Sequence, residues 1–216
     1  LFQANQAYQQ AVVVTGGDAS FLADKGWLFG LFMAVLVGLV IIGGIQWIAA
    51  VAGRIVPIMT ILYIIAGIVV MGVHYQAIPE AIEKIFEMAL YPQAGIGALL
   101  GTLLMGVQRA VFSNEAGLGS SAIAHSAVKT DVPVSQGMVA MLGPFIDTVI
   151  ICMVTALVIV ISGAYVDGSG IEGVELTSRA FASGISWFPY ILSLTVFLFA
   201  YSTMISWSYY GLICTT

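Results

Sequence analysis

Long apolar runs alternate with short polar stretches along this chain. Apolar residues dominate 27–50, 54–74, 94–128, 137–162 and 187–211. Each run reaches or exceeds the roughly 20 residues that a helix needs to cross a ~30 Å hydrocarbon layer. Residues 1–14 read as part of one more helix, because the chain opens on Leu1 inside a polar–apolar pattern. It stops at Thr216 directly after an apolar run, and both ends together predict a piece of a longer protein. A tight turn is expected at Gly53-Arg54, with Pro57 in the first turn of the helix that follows, where a missing N–H is harmless.

Two stretches follow another period. From Pro79 to Leu90, Glu80, Glu83, Lys84 and Glu87 interleave with Ile82, Ile85, Phe86 and Leu90, which predicts an amphipathic helix lying at a surface. A second amphipathic piece is predicted from Leu176 to Ala182, inside the long loop 163–186. Counting spans puts the loops 15–26, 75–92 and 163–186 on one side of a membrane, and 51–54 and 129–136 on the other. Lys25, Lys84 and Arg179 fall on the first side and Arg54 and Lys129 on the second, so the distribution of basic residues does not fix orientation.

Composition narrows the class. Hydrophobic residues make up 60% of the chain and charged residues 8%, against about 25% charged in a soluble domain. Such a chain cannot cover a soluble surface, so the expected fold class is an all-α polytopic membrane protein. A net charge of −5 without a basic patch argues against nucleic-acid binding. Cys152 and Cys214 both sit in apolar runs and read as small core residues.

The run 94–128 carries the unusual chemistry. As one helix, Gln93 to Lys129 would be about 54 Å long, too long for a bilayer unless it breaks or protrudes. Gln108, Arg109, Ser113, Asn114, Glu115, Gly117, Gly119, Ser120 and Ser121 crowd its middle, between apolar neighbours. The predicted break is 113–119, where two glycines and an asparagine release the backbone from helical geometry. Gly101–Gly106 is a second candidate. Backbone freed in hydrocarbon must find partners, and a broken helix offers N–H groups at one half and carbonyls at the other. That pairing suits a small zwitterion; the plainer reading is a glycine hinge for helix packing.

Other polar positions leave alternatives open. Gln3, Gln6 and Gln10 share one face of the first helix, for a ligand or for interhelical hydrogen bonds. Arg109 and Glu115 flank the break and either serve a structural pair, with Asp147 as one partner, or take part in gating. Asp147 lies behind Pro144 and reads as a proton relay or a network member. Ser202 and Thr203 are hard oxygen donors suited to a small cation, or hydroxyls bonded to the preceding turn. His125 and His74 stand alone, and no metal cluster, nucleophile–base set, phosphate loop, CxxC or HExxH motif occurs, so the chain does not read as an enzyme.

The run Gly106-Val-Gln-Arg-Ala-Val-Phe-Ser-Asn-Glu-Ala-Gly-Leu-Gly119, followed by Ala124-His-Ser-Ala-Val-Lys-Thr-Asp131 and Pro133-Val-Ser-Gln-Gly137, resembles the alanine/glycine:cation symporter family. Phe199-Ala-Tyr-Ser-Thr-Met-Ile-Ser-Trp-Ser-Tyr-Tyr-Gly211 is similar to a later helix of that family. The resemblance implies a fragment of an inverted-repeat (LeuT-like) transporter with a discontinuous helix, the fold of the neurotransmitter:sodium symporters. It implies sodium-coupled symport of alanine or glycine across the prokaryotic cytoplasmic (inner) membrane, with the acidic loops outside. Carried residue by residue, it implies substrate contacts at Ser113, Asn114 and Gly117, from Thr203 and Trp207, and from Gln3 or Gln6. It implies a sodium site at Phe199, Ser202 and Thr203, whose other half lies on a helix outside this chain. The alternative is a non-transporting membrane subunit or channel-like protein.

Overall fold

In a computed structural model of the chain, residues 2–90, 95–115, 118–166 and 173–215 are described. Every regular element among them is helical. The order is α1 (Phe2–Val14), α2 (Gly26–Ile41), α3 (Gly44–Val73), α4 (Ile78–Leu90), α5 (Gly95–Asn114), α6 (Ser120–Ser126), α7 (Pro133–Pro144), a π-helical segment (Phe145–Ile151), α8 (Cys152–Ser162), α9 (Val174–Ala182) and α10 (Phe188–Thr215). Among the described residues, three helices are long and apolar enough to cross a membrane: Gly44–Val73, Pro133–Ser162 and Phe188–Thr215. α2 and the middle of α5 are apolar but shorter.

The boundary between the second and third helices departs from the sequence expectation. The chain breaks at Ile42-Gly43, not at 51–54, and α3 runs straight through Gly53 and Arg54. The cause is the glycine pair. Gly44 adopts φ 68°, a left-handed conformation that glycine takes without steric cost. The Trp47 ring lies where a Cβ on Gly43 would be, 2.1 Å away, so any larger residue there displaces the indole. Pro57 therefore sits inside α3 rather than in its first turn.

α10 is the centre of packing, with α1, α2, α3, α6 and α9 against it. Three apolar clusters lie along its length. Phe188 and Leu192 meet Ala66 and Val70 of α3, Val158 of α8, and Ala180 and Phe181 of α9. Ala200 meets Ala7 and Met33, and Ile205 meets Val40 and Ile48. The first cluster is the tightest. The Phe181 ring stacks on Phe188 at 4.5 Å between centroids and tilts against Tyr63 at 5.2 Å. Gly67 lets α8 approach α3 so closely that a Cβ there would meet Val154 Cγ1 at 2.2 Å.

The opposite faces are apolar and exposed. Ile58, Ile61, Ile65 and Ile68 form such a stripe on α3, spaced to face lipid while Met59, Ala66 and Val70 turn inward. Replacing Phe181 by Ala removes the ring on which α3, α9 and α10 converge. The expected loss is about 3 kcal/mol, the lower end for a buried Phe, seen as a fall in thermal unfolding temperature of the purified full-length protein. Gly67→Val, which forces α3 and α8 apart, lowers the same transition.

Candidate functional site

The helix that starts at Gly95 ends at Asn114, and a new one begins at Ser120. Two residues of the connection have left-handed backbone: Glu115 at φ 55° and Gly119 at φ 79°. For glycine this is easy; for glutamate it is an uncommon conformation that neighbouring contacts must hold. One such contact is local. Ser120 Oγ donates a hydrogen bond to Glu115 Oε2 at 2.7 Å, closing the gap between the two helices. Ala116 and Gly117 lie outside the described residues, as does the side chain of Asn114.

A second contact ties the end of α5 to the next span. Ser113 Oγ donates to Asp147 Oδ2. Asp147 sits in the π-helical segment Phe145–Ile151, directly after Pro144, and midway along the apolar helix Pro133–Ser162. A proline removes one backbone donor and crowds the preceding turn, and π segments recur where such a ladder is disturbed. The wider turn sets Asp147 opposite Ser113. The partner of Asp147 is therefore a serine and not Arg109. Arg109 is exposed and forms no ion pair; among the described residues the pair Arg179–Glu175, at 3.9 Å on the surface of α9, is the one salt bridge.

α10 forms the wall beside the break. α6 packs on it, and the Glu115 carboxylate acts electrostatically on the Tyr210 hydroxyl. Trp207 meets Tyr210 edge-on, with ring centroids 5.7 Å apart. Thr203, Trp207 and Tyr210 follow one another at four- and three-residue steps, so they share a face. The structure thus joins the break to the Trp207–Tyr210 pair, with Thr203 one turn further along. Tyr210 was not singled out from the sequence; its place in that helical stripe was the available signal.

Ser202 is 6% exposed and Thr203 is partly buried. Both hydroxyls donate to the carbonyl of Phe199, at 3.0 and 2.9 Å. This is the ordinary bonding of such residues to the preceding turn. Phe199, Ser202 and Thr203 are therefore brought together by one carbonyl.

The glutamine face of α1 divides. Gln6 accepts a bond from the Val174 backbone N–H at 3.5 Å and donates to Gln9 at 3.1 Å. Gln10, fully buried, donates to Ser178 Oγ at 3.1 Å and to the Pro189 carbonyl at 3.4 Å. Both hold α9 against α1 and α10, a structural task that the sequence left open. Gln3 Oε1 is buried and has no hydrogen-bond partner among the described residues; Gln10 Oε1 is likewise unpartnered, although the Gln10 amide nitrogen is engaged. Because Gln10 reaches Pro189 while Ala7 packs on Ala200, α1 runs antiparallel to α10. Gln3, one turn before Ala7, therefore lies toward the level of Ser202 and Thr203.

His125 Nδ1 accepts from Gln136 Nε2 at 2.7 Å, which fastens the end of α6 to the first turn of α7. Loss of the Glu115–Ser120 bond in Ser120→Ala is expected to leave the carboxylate without its hydroxyl donor, at a cost of about 1–3 kcal/mol to the local structure. Hydrogen exchange of the full-length protein checks this, as faster exchange confined to 115–126.

Comparison with known proteins adds the following. The profile of the sodium:alanine symporter family matches residues 1–216. The sodium/alanine symporter AgcS of Methanococcus maripaludis is 43% identical over 188 residues, covering 86% of this chain and 42% of that protein. The amino-acid carrier protein AlsT of Bacillus subtilis is 34% identical over 206 residues, covering 95% and 44%. A probable sodium/glutamine symporter, GlnT, of the same organism is 36% identical over 184 residues, covering 84% and 38%. The chain spans less than half the length of each of these relatives.

Proposed function

As the chain belongs to the sodium:alanine symporter family, we propose that it forms part of a multi-pass carrier in a prokaryotic cytoplasmic membrane. That carrier moves a small neutral amino acid, alanine or glycine, inward together with sodium. One observation carries the reading. The apolar helix α5 stops at Asn114 and α6 begins at Ser120, with Glu115 and Gly119 between them in left-handed backbone, and α6 packs on α10. Such a break is tolerable in hydrocarbon only where it is buried in protein or lines a water-filled cavity, and its polar groups suit a ligand there.

Ser113, Asn114 and Gly117 then line the substrate position, with Thr203 and Trp207 facing it from α10. Trp207 limits the size of the substrate side chain. Gln3, with its unpartnered carbonyl oxygen, fits the third wall better than Gln6, whose amide is engaged by α9. Phe199 O and the hydroxyls of Ser202 and Thr203 supply part of a sodium site. The remaining ligands belong to helices of the longer protein, in an inverted-repeat arrangement with a second broken helix. Sodium favours the outward-open state, the amino acid binds at the break, and the broken helices rock to open the site inward. The relatives' names support the coupling ion and the amino-acid class.

Uptake of labelled alanine and glycine into vesicles holding the full-length protein tests this. Accumulation is expected under an inward sodium gradient and not under an equal potassium gradient; equal uptake in both overturns the proposal. Ser202→Ala and Thr203→Ala are expected to raise the sodium concentration for half-maximal uptake by about tenfold each, the effect of losing roughly 1.4 kcal/mol of binding.

A further inference from the structure

Asp147 has one described partner, the Ser113 hydroxyl. A serine donates a hydrogen bond but brings no charge. Midway through an apolar span, a carboxylate is better matched by a cation, because desolvation is offset only by a strong opposite charge. Such a cation is close by on the same helix face. Arg109 lies four residues before Ser113 on α5, which stacks the two side chains one above the other, about 6 Å apart along the axis. In the conformation described Arg109 is exposed and unpaired.

The mounting of α5 allows the two to trade places. Its main packing among the described residues is onto the π-helical segment that carries Asp147. Leu99, Leu100, Leu103 and Leu104 are all exposed, so none of the described elements packs over that face of α5. At its far end lie Glu115 and Gly119, both in left-handed backbone, where the chain can absorb a change in direction.

We propose that Asp147 is a positioning residue with two alternative partners on one face of α5. Ser113 holds it in the conformation described, and Arg109 takes its place when α5 moves by one turn against the π-helical segment. One-turn shifts of this kind are a known form of two-state change between packed elements. The two states differ in a defined interaction: a single hydroxyl-to-carboxylate hydrogen bond in one, a guanidinium–carboxylate ion pair in the other. This deepens the transport reading above, on which it rests for its purpose: the exchange would move the end of the broken helix, and with it the substrate position.

Disulfide trapping in the full-length protein tests the exchange, with Cys152 and Cys214 replaced by serine. Two cysteine pairs are compared in membranes under a mild oxidant: Ser113→Cys with Asp147→Cys, and Arg109→Cys with Asp147→Cys. Both pairs are expected to cross-link. The ratio of their yields is expected to shift severalfold when sodium and alanine are added together. Cross-linking of the 113/147 pair alone, under every condition, overturns the exchange; failure of both pairs overturns the contact itself. The two yields standing in a fixed ratio whatever is added also overturns it. A functional arm uses the charge swap. Arg109→Asp and Asp147→Arg are each expected to lower the maximal uptake rate about tenfold with little change in the substrate concentration for half-maximal rate. The double variant is expected to recover most of that loss, and no recovery overturns the proposal. If the unaltered protein shows no sodium-driven uptake, the transport reading fails, while the cross-linking result still decides the exchange.

Discussion

Inside a membrane every backbone N–H and C=O must be bonded within the protein, because hydrocarbon offers no partner. Most of this chain meets that demand by being helical. At Glu115, Leu118 and Gly119, between α5 and α6, it does not, and the surrounding structure is arranged around that exception. Glu115 turns its carboxylate back to Ser120 and so bridges the gap. The neighbouring span widens to a π-helical turn and meets Ser113 with Asp147. α6, only seven residues long, is fastened at its far end by His125 and Gln136 and along its side by α10.

α10 does two jobs at different levels along its length. Phe188, Leu192, Ala200 and Ile205 are apolar and bind α1, α2, α3 and α9 into a core. Thr203 and Tyr210 follow Leu192, and Trp207 follows Ala200, by whole turns of the helix, so they continue the same side toward the C-terminal end. The core that fixes the first part of the helix thereby fixes the polar part that follows it. α9 completes the outer end of this core, through Phe181 on Phe188 and through the amides of Gln6 and Gln10. A short loop helix is thereby bound to α1, and movement at either is felt by the other.

Apolar runs and glycine positions made much of this legible in advance. The interruption of 94–128 was readable because glycine, asparagine and several hydroxyls cannot share an apolar helix without cause. The amphipathic α4 and α9 were readable from charge spacing. The second and third helices divide at Gly43-Gly44 and not at the expected Gly53-Arg54 turn, because a glycine pair inside an apolar run carries no polar mark. Only the fold reveals that the Trp47 indole packs on Gly43. The glutamines of α1 were legible as a polar face but not as separate functions, since that depends on where α9 lies, and α9 is some 170 positions away in sequence. Asp147 was visible as an intramembrane acid; its partner was not, because a serine across two helices leaves no periodic mark.

The charge around the break has a direction. The carbonyl end of α5 carries the negative pole of a 20-residue helix, and Glu115 and Asp147 add two carboxylates beside it. No basic side chain is paired with either among the described residues. A zwitterionic amino acid adds no net charge, so its ammonium relieves this excess only as far as its carboxylate does not restore it. In a medium of low dielectric such an imbalance is little screened. On the proposed function a small cation held by Ser202 and Thr203 offsets it, and a guanidinium brought to Asp147 offsets it in another way. On the proposed function, then, sodium is required because the neutral solute by itself leaves the site too negative to close.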